Sequence, residues 1–326
     1  MRAAITNADH RFDIVTLPDP APGAGELLLR VRACGICGSD LKAVANMRSG
    51  LVMGHEFAGD VVAVGSGVEG WREGTAACAL PLIGCGVCAF CITGDVAHCA
   101  QVDMIGVGGS SGGYAEYIRV SAREAFALPE GIDTDVGALT EPLAVGLHAV
   151  DRAQLRADER VLVVGAGPVG LAVTMWARHF GASEVVVSDP VAARRAAAMT
   201  LGATGAADPS TDDLGEPYDV VFECVGTPGM IATSISFAAV HGRVVVAGVC
   251  AKPDPFVPIV ALMKELAMHF VVYYRRRDFA YVLDLLRQGR IDPGRFITDQ
   301  VGLDAFPTAF EALKQPTSQC KVLVNP

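Results

Sequence analysis

Residues 160–190 read RVLVVGAGPVGLAVTMWARHFGASEVVVSDP, and this stretch decides the fold of the chain. An apolar run meets a glycine-rich turn, then a segment of small and apolar residues, then a second apolar run that ends on Asp189. Strands apolar on both faces, alternating with helices, mark a parallel sheet covered on both sides. The alternation continues through YDVVFECVG, GRVVVAGV and MHFVVYY, with Ala-rich helical segments expected at 191–201 and 230–239. From about residue 142 the chain therefore reads as a doubly wound α/β domain.

The turn GAGPVG places Gly165, Gly167 and Gly170 in the G-x-G-x-x-G spacing, with Pro168 and Val169 opening the helix. Alone, that spacing is a weak signal, and an ordinary glycine turn is the competing reading. Here it follows a strand, starts a helix and is followed by an acid at the end of the next strand, which together form the dinucleotide fingerprint. The first glycine permits the tight turn, the second lets backbone approach a pyrophosphate, and the third lets helix and strand pack closely. The helix N-terminus offers unpaired N–H groups to the phosphates. Asp189 would accept hydrogen bonds from the adenosine ribose and repel a 2′-phosphate, which favours NAD. Arg194 and Arg195 keep NADP open, because an arginine beside the ribose accommodates a phosphate. Cys224, Val225, Gly248 and Val249 fall at the C-terminal ends of later strands, where the nicotinamide half is expected.

Composition bounds the rest. A chain of 326 residues is too long for one core, so about two domains are expected. Net charge is −10, and the only basic cluster is Arg275, Arg276 and Arg277, which argues against a nucleic-acid surface. No run approaches the roughly 18 apolar residues of a membrane span, and MRAAITNADHRFDIV has no apolar signal region. The expected compartment is a reducing cytoplasm. There, ten cysteines read as metal ligands and free thiols rather than disulfides.

Residues 1 to about 140 read as strand-rich, with runs such as ELLLRVRA, GDVVAVGSG and YAEYIRV broken by Gly and Pro. Within them, Cys85, Cys88, Cys91 and Cys99 are spaced C-x2-C-x2-C-x7-C. Four thiolates close a tetrahedron around Zn²⁺ with no open position, the pattern of a structural site. An iron–sulfur cluster or unligated thiols are the rivals. A second candidate lies in CGICGSDLKAVANMRSGLVMGHEFAG (residues 34–59), where Cys37, His55 and Glu56 supply the side-chain types of a three-ligand zinc site with an open position. The bland reading is a buried cysteine and a His-Glu pair in a turn.

With CGICGSD, GHEFAGDVVAVGSGV, the four-cysteine lobe, GGYAEYIRV, LTEPLAVGLHAV, GAGPVG and the terminal KVLV, the chain resembles the zinc-dependent medium-chain alcohol and polyol dehydrogenases over essentially its whole length. The resemblance implies an α/β protein of two parts. One is a GroES-like β-rich catalytic domain (1–141 and 291–326, with a structural-zinc lobe at 84–100). The other is a Rossmann NAD-binding domain (142–290). It implies two zincs per chain, the catalytic one on Cys37, His55 and either Glu56 or Glu141. One thiolate and one carboxylate neutralise the metal, so one Glu is expected to bind at a time. Ser39 stands at the proton-relay position, and Asp40 is expected to orient ligands.

The resemblance also implies the interconversion of an alcohol, secondary or bulky, with its ketone or aldehyde, and a homodimer or homotetramer. The apolar run 270–274 would be a sheet-edge strand that a second subunit could pair. The chain departs from the family in two places. Lys42 stands where a relay His is frequent, and a lysine ammonium is charged at pH 7. The segment between Cys37 and His55 is also shorter than is usual in the polyol branch. The alternatives are a polyol or amino-alcohol dehydrogenase, a zinc-free quinone or enone reductase, and a non-catalytic dinucleotide-binding protein.

Overall fold

A computed structural model describes residues 1–315 and 318–326. The chain divides into two units, Met1–Ala144 with Tyr274–Pro326, and Val145–Tyr273.

The first unit is assembled on the strand Glu26–Gly35, whose apolar side chains are largely buried. It pairs antiparallel with Glu56–Val64 and with Tyr117–Ser121, and its last two residues pair with Lys321–Asn325. The sheet path runs Ile297–Gly302, Lys321–Asn325, Glu26–Gly35, Glu56–Val64, Ala76–Ala79, Ala125–Ala127. Residues 321–325 thus sit beside a strand almost 300 positions earlier, because their apolar side chains are buried only inside this sheet. One core of the unit is an aromatic cluster of Phe12, Tyr114, Phe306 and Phe310, with Tyr114 and Phe306 ring centroids 4.5 Å apart. Edge-on and tilted contacts of this kind add to the area that such rings remove from water.

Two features of this unit position chemistry. The Glu26 strand ends at Gly35, and the short helix Gly38–Ala43 follows with Cys37 as its N-cap; the sulfur accepts the Ser39 N–H. At Gly54 the chain takes φ 99°, a left-handed turn that delivers His55 and Glu56 to the start of the next strand.

In the second unit all six strands are parallel, in the order Gly205–Ala207, Glu184–Ser188, Arg160–Val164, Tyr218–Glu223, Ala238–Val246, Ala267–Phe270. In sequence rank this is 3-2-1-4-5-6, so the order reverses between the Arg160 and Tyr218 strands. That reversal is where doubly wound sheets bind dinucleotides. Helices Pro168–His179, Ala192–Thr200 and Met230–Phe237 make the crossovers. Among the described residues, no helix is long and apolar enough to cross a membrane.

Three expectations on elements differ from the structure. The helix expected over 230–239 ends at Phe237, and Ala238 already starts the next strand. The edge strand expected over 270–274 ends at Phe270; Tyr273 takes φ 56°, which turns the chain out of the sheet, and Tyr274 is buried in the first unit. Residues 274–290 likewise fall in the first unit rather than the second. There Phe279 packs on Phe126 at 5.6 Å, and Arg276 lies 4.1 Å over the same ring.

Candidate active site

Cys37, His55 and Glu56 offer ligand atoms that all lie within 4.8 Å of one another. Cys37 follows the Glu26–Gly35 strand as the N-cap of the Gly38 helix, and the other two stand at the start of the Glu56 strand; those two strands pair at Gly35 and Glu56. His55 and Glu56 are buried while Cys37 and Ser39 are half-buried, so solvent reaches the thiol and hydroxyl side. Ser39 Oγ donates to Cys37 Sγ at 3.1 Å. Zinc bonds of roughly 2.0–2.3 Å put tetrahedral ligands about 3.3–3.8 Å apart, a spacing this group reaches by small side-chain adjustments. The donor set also fits: a cysteine sulfur, an imidazole and a carboxylate, the last two buried.

The partners of these groups are as informative. His55 Nδ1 lies 3.2 Å from Asp40 Oδ1, within range of charge attraction although off-line for a hydrogen bond. Tyr114, fully buried, donates to the other oxygen, Asp40 Oδ2, at 2.5 Å. Burial opposes a charge on His55, but Asp40 and then Cys37 outweigh it, so the imidazole is held above its ordinary value. A ring nitrogen turned to a carboxylate is the arrangement that orients metal-binding histidines.

Glu141 opens the helix Thr140–Ala153 and lies outside the tight three-residue group. Its Oε1 accepts the Tyr274 hydroxyl at 2.8 Å. Burial pushes the Glu141 carboxyl up to about 7; His55 opposes the shift and Glu56 adds to it. A carboxyl whose folded value exceeds its unfolded value stabilises the fold fully at low pH, and that contribution is lost as pH rises through the folded value. With the catalytic metal removed, unfolding free energy is expected to fall between about pH 4.5 and 7, by on the order of 3 kcal/mol. Urea melts of the parent and of Glu141→Gln across that window check this, since the variant should lack this component of the slope.

Cys85, Cys88, Cys91 and Cys99 form the other group within 4.8 Å. Each backbone turn aims an N–H at a sulfur: Cys85 N to Cys99 Sγ, Cys88 N to Cys85 Sγ and Cys91 N to Cys88 Sγ, at 3.4–3.5 Å. The N–H groups of Val87 and Cys88 lower the Cys85 thiol to about 6. Thiolates held by backbone donors suit a closed tetrahedral zinc site.

In the second unit the glycine turn has the form its spacing requires. Gly165 has φ 97°, and a Cβ at Gly170 would stand 1.8 Å from Gly165 O, so a side chain there is excluded. A Cβ at Gly167 would meet nothing within 4 Å; the backbone borders open space where a pyrophosphate would approach. Pro168 is the first helical residue and Val169, half-buried, the next. Asp189 is buried, its Oδ2 accepting Ala166 N and its Oδ1 Val191 N, both at 2.8 Å. Arg195 is tied to Asp189 O and Asp208, whereas Arg194 Nη1 lies 4.0 Å from Asp189 and its buried Nε has no hydrogen-bond partner among the described residues. Cys224 and Val225 are half-buried at the end of the Tyr218 strand. Gly248 and Val249 are close by, since a Cβ on Gly226 would stand 2.5 Å from Val249 O. Glu223 pins this loop by accepting the Val225 and Gly226 N–H groups at 2.7 Å.

Two residues at the site escaped the reading of the sequence. Lys321, fully buried, donates to both oxygens of Glu56 at 2.6 and 2.5 Å. Its only sequence signal is a lysine opening an otherwise apolar terminal strand. Tyr274 has none, being read as part of an apolar run.

Residues 23–130 match the family described as alcohol dehydrogenase GroES-like domain, and residues 168–288 the one described as zinc-binding dehydrogenase. The chain is 30% identical to a sorbitol dehydrogenase of Bacillus subtilis, over all of this chain and 97% of that one. It is 31% identical to an (R,R)-butanediol dehydrogenase of the same organism, over the whole of both. Among solved structures, a putative zinc-binding dehydrogenase of Sinorhizobium meliloti bound to NADP superposes with a TM-score of 0.91 at 32% identity, covering 100% of this chain and 99% of that one.

Proposed function

The chain belongs to the zinc-dependent medium-chain alcohol and polyol dehydrogenases, and from that premise we propose that it interconverts a secondary or bulky alcohol and its ketone or aldehyde with NAD. The observation that carries this reading is the cluster of Cys37, His55 and Glu56 with the Ser39 hydroxyl on the thiolate. Zinc, when bound, supplies the Lewis acid that lowers the pKa of a substrate alcohol, and the nicotinamide, when bound, takes up the hydride.

The chain's own residues do the rest. The Cys37 thiolate, the His55 nitrogen turned away from Asp40, and a carboxylate from Glu56 or Glu141 hold the metal. Ser39, half-buried beside Cys37, receives the alcohol proton at its hydroxyl. Lys42 lies exposed on the same short helix and replaces the histidine that often follows in such relays. Cys85, Cys88, Cys91 and Cys99 hold a second zinc with no position left for substrate. Gly165, Gly167, Pro168, Val169 and Gly170 receive the pyrophosphate; Cys224, Val225, Gly248 and Val249 border the nicotinamide.

Asp189 selects NAD, each of its oxygens keeping a lone pair for a ribose hydroxyl. NADP is the second reading, supported by the buried Arg194 Nε, which has no partner among the described residues, and by the NADP in the Sinorhizobium relative. A second substrate reading, a polyol, is supported by the sorbitol and butanediol dehydrogenases among the relatives. NADH formation over primary, secondary, cyclic and polyhydric alcohols, repeated with NADP, tests both. Secondary alcohols with NAD should lead, and Asp189→Ala should weaken NAD by about 10–100-fold, the size of one or two lost hydrogen bonds. Turnover confined to polyols, or a parent enzyme that prefers NADP, would overturn the respective assignment.

We also read the chain as a cytoplasmic homodimer or homotetramer. The Ala267–Phe270 strand ends the parallel sheet with Phe270 66% exposed, and the nearby helix Pro258–Met263 buries none of its residues. An apolar sheet edge of this kind invites pairing with a second copy. Light scattering should give at least twice the chain mass, reduced toward one chain in Phe270→Asp. A parent that runs as a monomer contradicts this.

A further inference from the structure

The pair Lys321–Glu56 is built, not incidental. The two residues sit on strands that flank the Glu26–Gly35 strand, with Gly35 opposite both Glu56 and Leu323 in register. The side chains meet over Gly35. A Cβ there would stand 2.0 Å from Glu56 Oε2 and 3.1 Å from Lys321 Cδ, so the crossing requires glycine at that place. Lys321 Nζ also donates to Ile36 O at 3.2 Å, which fills the ammonium's donors inside the sheet. Two of the three acceptors around the ammonium are the oxygens of one carboxylate.

A charge of this kind answers a difficulty in the zinc site. A thiolate and one carboxylate neutralise Zn²⁺; a second carboxylate leaves the site anionic and a poor host for a negatively charged oxygen. With Lys321 included, Cys37, Glu56 and Glu141 bring three negative charges against three positive ones. We propose that Lys321 is a positioning residue of the zinc site: reaching across Gly35 to both oxygens of Glu56, it holds that carboxylate off the metal and compensates it, so that Glu141 is accommodated as a second acid. The inference rests on the reading of Cys37 and His55, with Glu56 beside them, as a zinc site.

The test is a double-mutant cycle on the full chain with Lys321→Met, Glu56→Gln and both together. The readouts are zinc affinity of the catalytic site by chelator competition and the visible absorption of the cobalt-substituted protein. Lys321→Met frees Glu56 for the metal, so zinc should be held about tenfold tighter or more and the cobalt spectrum should change. Glu56→Gln leaves a buried ammonium facing the metal, so zinc should be held about tenfold more weakly or worse. The double variant, which buries neither charge and so keeps a foldable comparison, should return to within about threefold of the parent. An unchanged cobalt spectrum and affinity in Lys321→Met, or single effects that simply multiply in the double variant, would overturn the inference alone. Parent protein holding zinc only in the four-cysteine lobe would overturn both it and the reading beneath it.

Discussion

Cys37→Ala should abolish alcohol oxidation and lower the zinc content from two per chain to one. Cys37 belongs to the three-residue group that could hold a metal and is also the acceptor of the Ser39 hydroxyl. On the proposed reading, its loss removes one of the metal's two anionic ligands and the group against which Ser39 is set. A Lewis acid contributes several kcal/mol to such a reaction, so turnover should fall by roughly a thousandfold or more. Melting temperature should change little, because Cys37 is half-buried and caps a helix of only six residues. Metal analysis alongside steady-state NADH formation checks both parts, and a variant that turns over as fast as its parent would contradict the zinc mechanism.

The second large effect is expected in the four-cysteine lobe and is one of stability. Cys91 is buried, and among the described residues the lobe is tied to the rest of its unit by polar contacts rather than a large core. Arg123 donates to Gly86 O and to Cys91 O, Gly94 O accepts Arg276 N at 2.9 Å, and Arg275 approaches Asp95 at 3.9 Å. Zinc binding to such a lobe is folding free energy, on the order of 10 kcal/mol in small zinc domains. Cys91→Ser should therefore cost several kcal/mol and lower the melting temperature by about 10 °C or more. The damage should reach activity too. Arg275 and Arg276 follow Tyr274, whose hydroxyl holds Glu141, so a loosened lobe releases the second acid. Calorimetry together with the Michaelis constants checks this; an unchanged melting temperature would mean that the lobe does not depend on its metal.

Most of the fold was legible in the sequence where the signal is local. Gly165, Gly167 and Gly170 each have a backbone reason that acts within one strand–turn–helix, and Asp189 ends the next strand. The four cysteines lie within fifteen residues, so spacing alone brings them together. Cys37 and His55 required more, since a strand pairing supplies their proximity, and the adjacency of His55 and Glu56 was the usable hint. The pairing of Glu56 with Lys321 spans 265 positions and depends on three strands in register with a glycine between them. No local pattern carries that. Lys321, buried against Glu56, therefore had no place in the charge count made from the sequence. Tyr274 was misassigned for a similar reason: an apolar run gives no sign of where a left-handed Tyr273 will turn the chain.

The most direct test of the account is to strip the catalytic site with a chelator and follow NADH formation from a secondary alcohol while zinc is returned. The account predicts no turnover with the four-cysteine lobe alone filled, and a rise in proportion to the second zinc until Cys37, His55 and their carboxylate are occupied. Full turnover before the second zinc is restored would contradict it.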